Sequence, residues 1–213
     1  MSRRLPIYFL LDVSGSMYGE PITAVETGLQ TLISALRNDP QAVESAWLSV
    51  ITFSNNAEQI VPLTELSQFN APPLSAFGMT ELGEALAFVK KCADNDVKPN
   101  TAETKGDWKP LVFIMTDGMP TDDYRRGLAE FRKRKWGMVV ACAAGQDVDT
   151  NILEEIAPEC VVQLSTADSQ SIAKFFRWVS ASIATSSKSV GTNQGEVTSL
   201  SQLPPPPPEI TIV

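Results

Sequence analysis

Short apolar runs alternate along this chain with longer stretches whose apolar residues recur at helical spacing. Residues 7–11 (Ile-Tyr-Phe-Leu-Leu) are almost wholly apolar, the pattern of a strand buried on both faces. Pro21 then suits the first turn of a helix. Ile22, Val25, Leu29, Leu32, Ile33 and Leu36 continue it at three- and four-residue intervals until Asn38-Asp39-Pro40 stops the pattern. Residues 47–53 and 57–63 read as strands. The turn-forming Ser54-Asn55-Asn56 between them is too short for a crossover helix, which predicts an antiparallel hairpin. After an irregular stretch at 64–77, Leu82, Ala85, Leu86 and Val89 mark a helix over 81–93. Residues 95–110 are polar and punctuated by Gly and Pro, as in a surface loop. Strands follow at 111–116, 138–143 and 160–164. Between them lie a helix capped by Asp122 or Asp123 and running to about Lys135, with Leu128 and Phe131 inward, and a short helix at 149–156. Ile172, Phe175, Phe176, Val179 and Ile183 stripe a last helix over 169–183.

Strands alternating with helices predict an α/β fold: a six-stranded, mostly parallel sheet with one antiparallel edge strand and helices on both faces. The length suits one domain, placed at residues 1–185. Residues 186–213 change character, from Ser/Thr/Gly-rich to Pro204–Pro208 and then Glu-Ile-Thr-Ile-Val, and read as a tail outside the core. Five consecutive prolines favour an extended form that serves as a stiff spacer or as a ligand for an aromatic groove, the spacer being the preferred reading. The last five residues alternate weakly and can add to a sheet edge.

Two of the apolar strands end abruptly in aspartate. The first runs into Asp12-Val13-Ser14-Gly15-Ser16 and the fourth into Thr116-Asp117-Gly118. In an open parallel sheet, loops beyond the carboxyl ends of neighbouring strands line the ligand crevice, so Asp12 and Asp117 belong on one rim. Ser14 and Ser16 follow Asp12 at every second residue, and Gly15 permits the tight turn that aims three oxygens at one point. Thr80, in Gly78-Met79-Thr80-Glu81, adds a further hydroxyl. These are hard oxygen donors, suited to Mg²⁺, Mn²⁺ or Ca²⁺ rather than to zinc or copper, and a set completed by water fits magnesium best. Two carboxylates barely neutralise a divalent ion, so an aspartate or glutamate from a partner protein would complete it. Plainer readings exist for each string alone: a serine turn at 12–16, a helix cap at Thr80 and a strand end at Asp117.

Composition removes several classes of function. There is no histidine, which excludes His-based triads and His-ligated zinc. Three scattered cysteines, Cys92, Cys142 and Cys160, form no C-x-x-C pair and read as buried reduced thiols, in keeping with a cytoplasmic protein. A net charge of −8 argues against non-specific nucleic-acid binding. The basic clusters Arg125-Arg126 and Arg132–Lys135 accordingly read as solvated helix surface. No segment approaches a membrane span, and the apolar run after Arg3-Arg4 is too short for a signal peptide. Trp108, in the polar loop, is a candidate partner contact.

The order Asp12-x-Ser14-x-Ser16, Thr80, Asp117, each after its own strand or loop, resembles the metal-ion-dependent adhesion site of von Willebrand factor type A domains over residues 5–185. That resemblance implies a Rossmann-like fold. It implies that Ser14, Ser16 and Thr80 contact the metal while the two aspartates bind directly or through water. The strings Leu-Leu-Asp-Val-Ser-Gly-Ser-Met and Phe-Ile-Met-Thr-Asp-Gly-Met-Pro-Thr-Asp, with the proline-rich end, resemble the TerY family of bacterial tellurite-resistance proteins. This implies a scaffold beside a PP2C-type phosphatase and a protein kinase. No catalytic base stands near the donor set, so the expected function is metal-dependent protein binding. The alternatives are a magnesium-dependent phosphatase or phosphotransferase with Asp12 as nucleophile, and a scaffold that works without metal.

Overall fold

A computed structural model describes residues 3–146, 148–191, 200–208 and 210–213. Seven strands form one sheet in the order β3-β2-β1-β4-β5-β6-β7. They are β1 (Leu5–Asp12), β2 (Ala46–Phe53), β3 (Ala57–Glu65), β4 (Leu111–Thr116), β5 (Met138–Ala144), β6 (Val161–Leu164) and β7 (Ile210–Ile212). The order reverses at β1, which lies between β2 and β4 and runs parallel to both. β1, which contains the apolar run 7–11 read as a doubly buried strand, is buried at all eight positions. Its side chains alternate between two cores. Leu5, Ile7, Phe9 and Leu11 join one with α1 (Glu20–Arg37) and α6 (Ser169–Gly191). Tyr8 and Leu10 join the other with α3 (Leu82–Asp96), α4 (Tyr124–Phe131) and α5 (Thr150–Ile156).

The hairpin β2–β3 is antiparallel, as its three-residue turn requires. The sheet has one strand more than the sequence suggests, and both of its edges are antiparallel. Residues 210–212 pair with β6, Ile210 opposite Leu164 and Ile212 opposite Val162. Before that strand, the Trp178 indole N–H donates to the Pro204 carbonyl (2.8 Å), and Leu203 and Ile210 are buried in the core shared with α6. The helix α6 runs on to Gly191, past the apolar stripe that ended at Ile183, because Ser186, Ser187 and Val190 are still buried. Glu209 and residues 192–199 lie outside the described residues.

Two local readings change. Pro40 does stop α1, but it also opens a six-residue helix, α2 (Pro40–Ser45), whose first amides are capped by the Asp39 carboxylate. The helix after Asp123 ends at Phe131 rather than near Lys135. Of the basic residues beyond it, Arg132, Lys133 and Lys135 are exposed, with Lys133 paired to Glu130, while Arg134 lies partly buried and pairs with Asp94. Trp108 takes no part at the carboxyl edge of the sheet. It sits before β4 at the opposite end, with the Arg3 guanidinium 3.7 Å over its ring and its backbone N–H donating to the Arg4 carbonyl. All three cysteines are free and buried, and burial pushes the Cys92 thiol up to about 11. Among the described residues, no helix is long and apolar enough to cross a membrane.

Candidate metal centre

The topological reversal at β1 brings the ends of β1 and β4 side by side. Asp12 is the last residue of β1, and Asp117 follows β4 directly. Asp12 is 0% exposed, and both of its oxygens accept hydrogen bonds: Oδ1 from the Ser14 N–H (2.8 Å) and Oδ2 from the Thr116 hydroxyl (2.5 Å). The chain then enters a 3-10 turn at Gly15–Met17, which folds the Ser14 and Ser16 hydroxyls to within 3.0 Å of each other. Ser16 Oγ donates to Asp117 Oδ1 (2.6 Å). Four of the five candidate ligands are thus linked through direct contacts.

Thr80 arrives from a third segment that is tied to the first by backbone. Gly15 N–H donates to the Gly78 carbonyl (3.0 Å) and Phe77 N–H to the Val13 carbonyl (2.8 Å). Gly78 has φ +81°, a region open to glycine, and a Cβ there would stand 2.6 Å from Asn55 Oδ1, the atom that accepts the Met79 N–H. The Thr80 hydroxyl faces the β4 loop. It and Ser16 Oγ lie 3.3 Å and 3.7 Å from the point a Cβ of residue 118 would occupy. A side chain at Gly118 would fill that space, so glycine keeps a small cradle open between Ser16, Thr80 and Asp117.

The helix-cap reading of Thr80 gives way to another residue. Asp122 receives the N–H groups of Gly83 (3.0 Å) and Glu84 (2.9 Å), so it caps α3 from the far side of the β4 loop. It does not cap α4, and Asp123, which precedes α4, makes no side-chain cap there either. Thr121 closes the tie from its N–H to the Thr80 carbonyl (2.9 Å), and its hydroxyl accepts from the Thr80 N–H (3.1 Å). Sequence reasoning missed Thr116, Asn55, Thr121 and the reach of Asp122. Only Thr116 left a trace, as a hydroxyl residue at the end of a strand otherwise built for full burial.

Electrostatically the cluster lacks its counter-charge. Burial pushes the Asp12 carboxyl above its ordinary range, against the pull of the Ser14 and Thr116 hydrogen bonds, and nearby Asp117 adds to the rise. Burial also raises Asp117, with Ser16 opposing. Among the described residues no lysine or arginine pairs with either group. Nor, among them, are any three His, Cys, Asp or Glu side chains arranged to hold a metal ion by themselves. A buried carboxylate, a half-buried one, three hydroxyls and an open cradle are a hard-oxygen set that fits a small divalent cation.

Residues 7–177 match the von Willebrand factor type A domain, and the chain belongs to that family. Its fold is similar to that of the SpaC pilus adhesin from Lactobacillus rhamnosus GG, with TM-score 0.67 and 15% identity over 86% of this chain and 31% of that one. It is similar to a von Willebrand factor type A protein from Catenulispora acidiphila, with TM-score 0.63 and 19% identity over 85% and 43%. A third likeness is to proximal thread matrix protein 1 of the mussel byssus in a form whose adhesion-site motif holds zinc, with TM-score 0.60 and 19% identity over 86% and 48%. The chain spans less than half the length of each, and at these identities the likeness is one of fold.

Proposed function

We propose that this protein is a non-enzymatic, metal-dependent binding module. In it Asp12, Ser14, Ser16, Thr80 and Asp117 seat a divalent cation, magnesium in preference to manganese or calcium, and a partner protein supplies an aspartate or glutamate to the cation's open face. One observation carries this reading: a fully buried carboxylate, Asp12, and a half-buried one, Asp117, share a rim with three hydroxyls and have no protein cation among the described residues. Burying a charge unpaired is costly, and a divalent ion is the partner this donor set suits. Calorimetry of the purified chain against magnesium should give a one-site heat, and Ser16→Ala should weaken it by about tenfold or more. Equal heats for both proteins would remove the site.

The enzyme alternative is disfavoured by access. Asp12 is enclosed and both its oxygens are occupied, so it is poorly placed to attack a phosphoryl group. No lysine or arginine lies in residues 12–20, 76–84 or 116–123 to neutralise one. A metal-free scaffold would leave the charge imbalance at the site without a purpose. The finer reading rests on the strings around Asp12 and Asp117: a cytoplasmic scaffold of bacterial tellurite-resistance and stress-response systems, acting beside a PP2C-type phosphatase and a protein kinase. The three buried free thiols support the cytoplasmic placement. Affinity capture from the host with and without chelator tests it, and recovery of neither enzyme would exclude those partners.

The raised carboxyls give the site a pH dependence of definite sign. In the metal-free fold, Asp12 and Asp117 prefer the protonated form more than they do in the unfolded chain. Their contribution to stability is therefore present below the unfolded value and lost as pH rises through the raised folded values. A cation reverses this by favouring the charged forms. The rise in Tm on adding magnesium should be full at about pH 7.5 and shrink towards about pH 4.5, where protons compete for the same oxygens. A shift that stays constant across that range would contradict carboxylate ligation.

A further inference from the structure

Large apolar side chains left in water are unevenly placed on this molecule. Among the described residues six stand out, and two of them, Ile212 and Val213, belong to the last strand and its end. The other four are Tyr18 (80% exposed), Phe77 (57%), Met79 (55%) and Met119 (48%). Each is within three residues of a candidate ligand: Tyr18 beyond Ser16, Phe77 and Met79 before Thr80, and Met119 beyond Asp117. They come from all three segments, whose backbones are hydrogen-bonded together through Gly15–Gly78, Val13–Phe77 and Thr80–Thr121. The surroundings are otherwise acidic, with Glu20, Glu81, Glu84 and Asp123 in the same segments and no lysine or arginine among them. An apolar rim around a polar centre marks an interaction surface rather than a folding defect.

We infer that this rim selects the partner: it takes a segment with a single acidic residue flanked on both sides by large apolar residues. The inference rests on the metal reading above and narrows it. The cation has room for one external carboxylate. Additional acidic residues on the partner would face the rim's own carboxylates, while flanking apolar side chains would cover Tyr18, Phe77, Met79 and Met119. Methionines suit such a surface because the unbranched thioether adapts to differing shapes.

The test uses two synthetic peptides of equal length, both with one central aspartate, flanked in one by leucine and phenylalanine and in the other by serine. With the full chain in magnesium, the apolar-flanked peptide should bind at least about tenfold more tightly. The double variant Tyr18→Ser, Met119→Ser should lose that preference while its magnesium heat matches the parent's. Equal affinity for the two peptides, no binding of either, or a preference that survives the double variant would overturn the rim proposal while the metal site stands. Absence of a magnesium heat in the parent would instead overturn the metal reading and this proposal with it. Magnesium-dependent self-association abolished by the same variant would show that the rim serves a second copy of this chain, which also overturns it.

Discussion

Asp12→Asn is expected to abolish the magnesium-induced rise in Tm and leave the metal-free protein as stable as the parent, within about 1 kcal/mol. The carboxylate is wholly enclosed, and its hydrogen bonds do not offset the burial that raises its pKa. Asparagine keeps a carbonyl oxygen for the Ser14 N–H. Its amide can donate to Thr116 Oγ1, whose own proton can turn to the Gly118 carbonyl 3.4 Å away. The second amide N–H is left without an acceptor, a cost of about 1 kcal/mol that removal of the buried charge offsets. What disappears is the negative field that holds a cation, and a loss of about 100-fold or more in magnesium affinity is expected for a group that ligates or orients ligands this closely. Thermal melts with and without magnesium separate the two effects. A large loss of stability without metal would mean that Asp12 is kept for the fold rather than for an ion.

Gly127→Ala should lower Tm by about 5–10 °C, as expected for a loss of about 2–3 kcal/mol in a domain of this size. Helix propensity argues the other way, since alanine is the better helix former by about 1 kcal/mol, so the sign of the change decides between the causes. The structural reason is a close approach of α3 and α4. A Cβ at residue 127 would stand 1.8 Å from the Gly83 carbonyl oxygen and 2.4 Å from its carbon. Neither is a side-chain tip that can swing away, so the helices must part. Because α3 begins just beyond Thr80 and its first amides rest on Asp122, the same variant should weaken magnesium binding without touching a ligand. An alanine variant that melts at or above the parent temperature would refute the close contact.

Much of this architecture is legible in the sequence where one physical signal dominates. The central strands announce themselves because burial on both faces demands unbroken apolar runs, and the β2–β3 hairpin because three residues cannot cross a sheet. What escapes is whatever depends on distant chain. The helix at Pro40–Ser45 is too short to show a period and begins at a residue that reads as a stop. The last five residues could be read as an addition to a sheet edge, as Ile210–Ile212 prove to be, but not as pairing with β6 in particular, because three residues acquire their place from that strand. At the site, Asp12, Ser14, Ser16, Thr80 and Asp117 could be picked out because their strings sit at strand and loop ends in a fixed order. Thr116 and Asn55 could not, because threonine in a strand and asparagine in a turn are ordinary there. Asp122 was misassigned because its partners, Gly83 and Glu84, lie 39 and 38 residues back along the chain.

The backbone bonds that stitch the three loops together, from Gly15 to Gly78, Phe77 to Val13 and Thr121 to Thr80, run between main-chain atoms and use none of the side-chain oxygens of the candidate ligands. Their geometry makes the rim a socket rather than a clasp. On the proposed metal reading, an ion would meet donors held in place by these ties, and little freedom of chain would be lost in docking. Occupancy would then follow the supply of metal and of the partner's carboxylate, and one stable body would alternate between a silent and a binding surface.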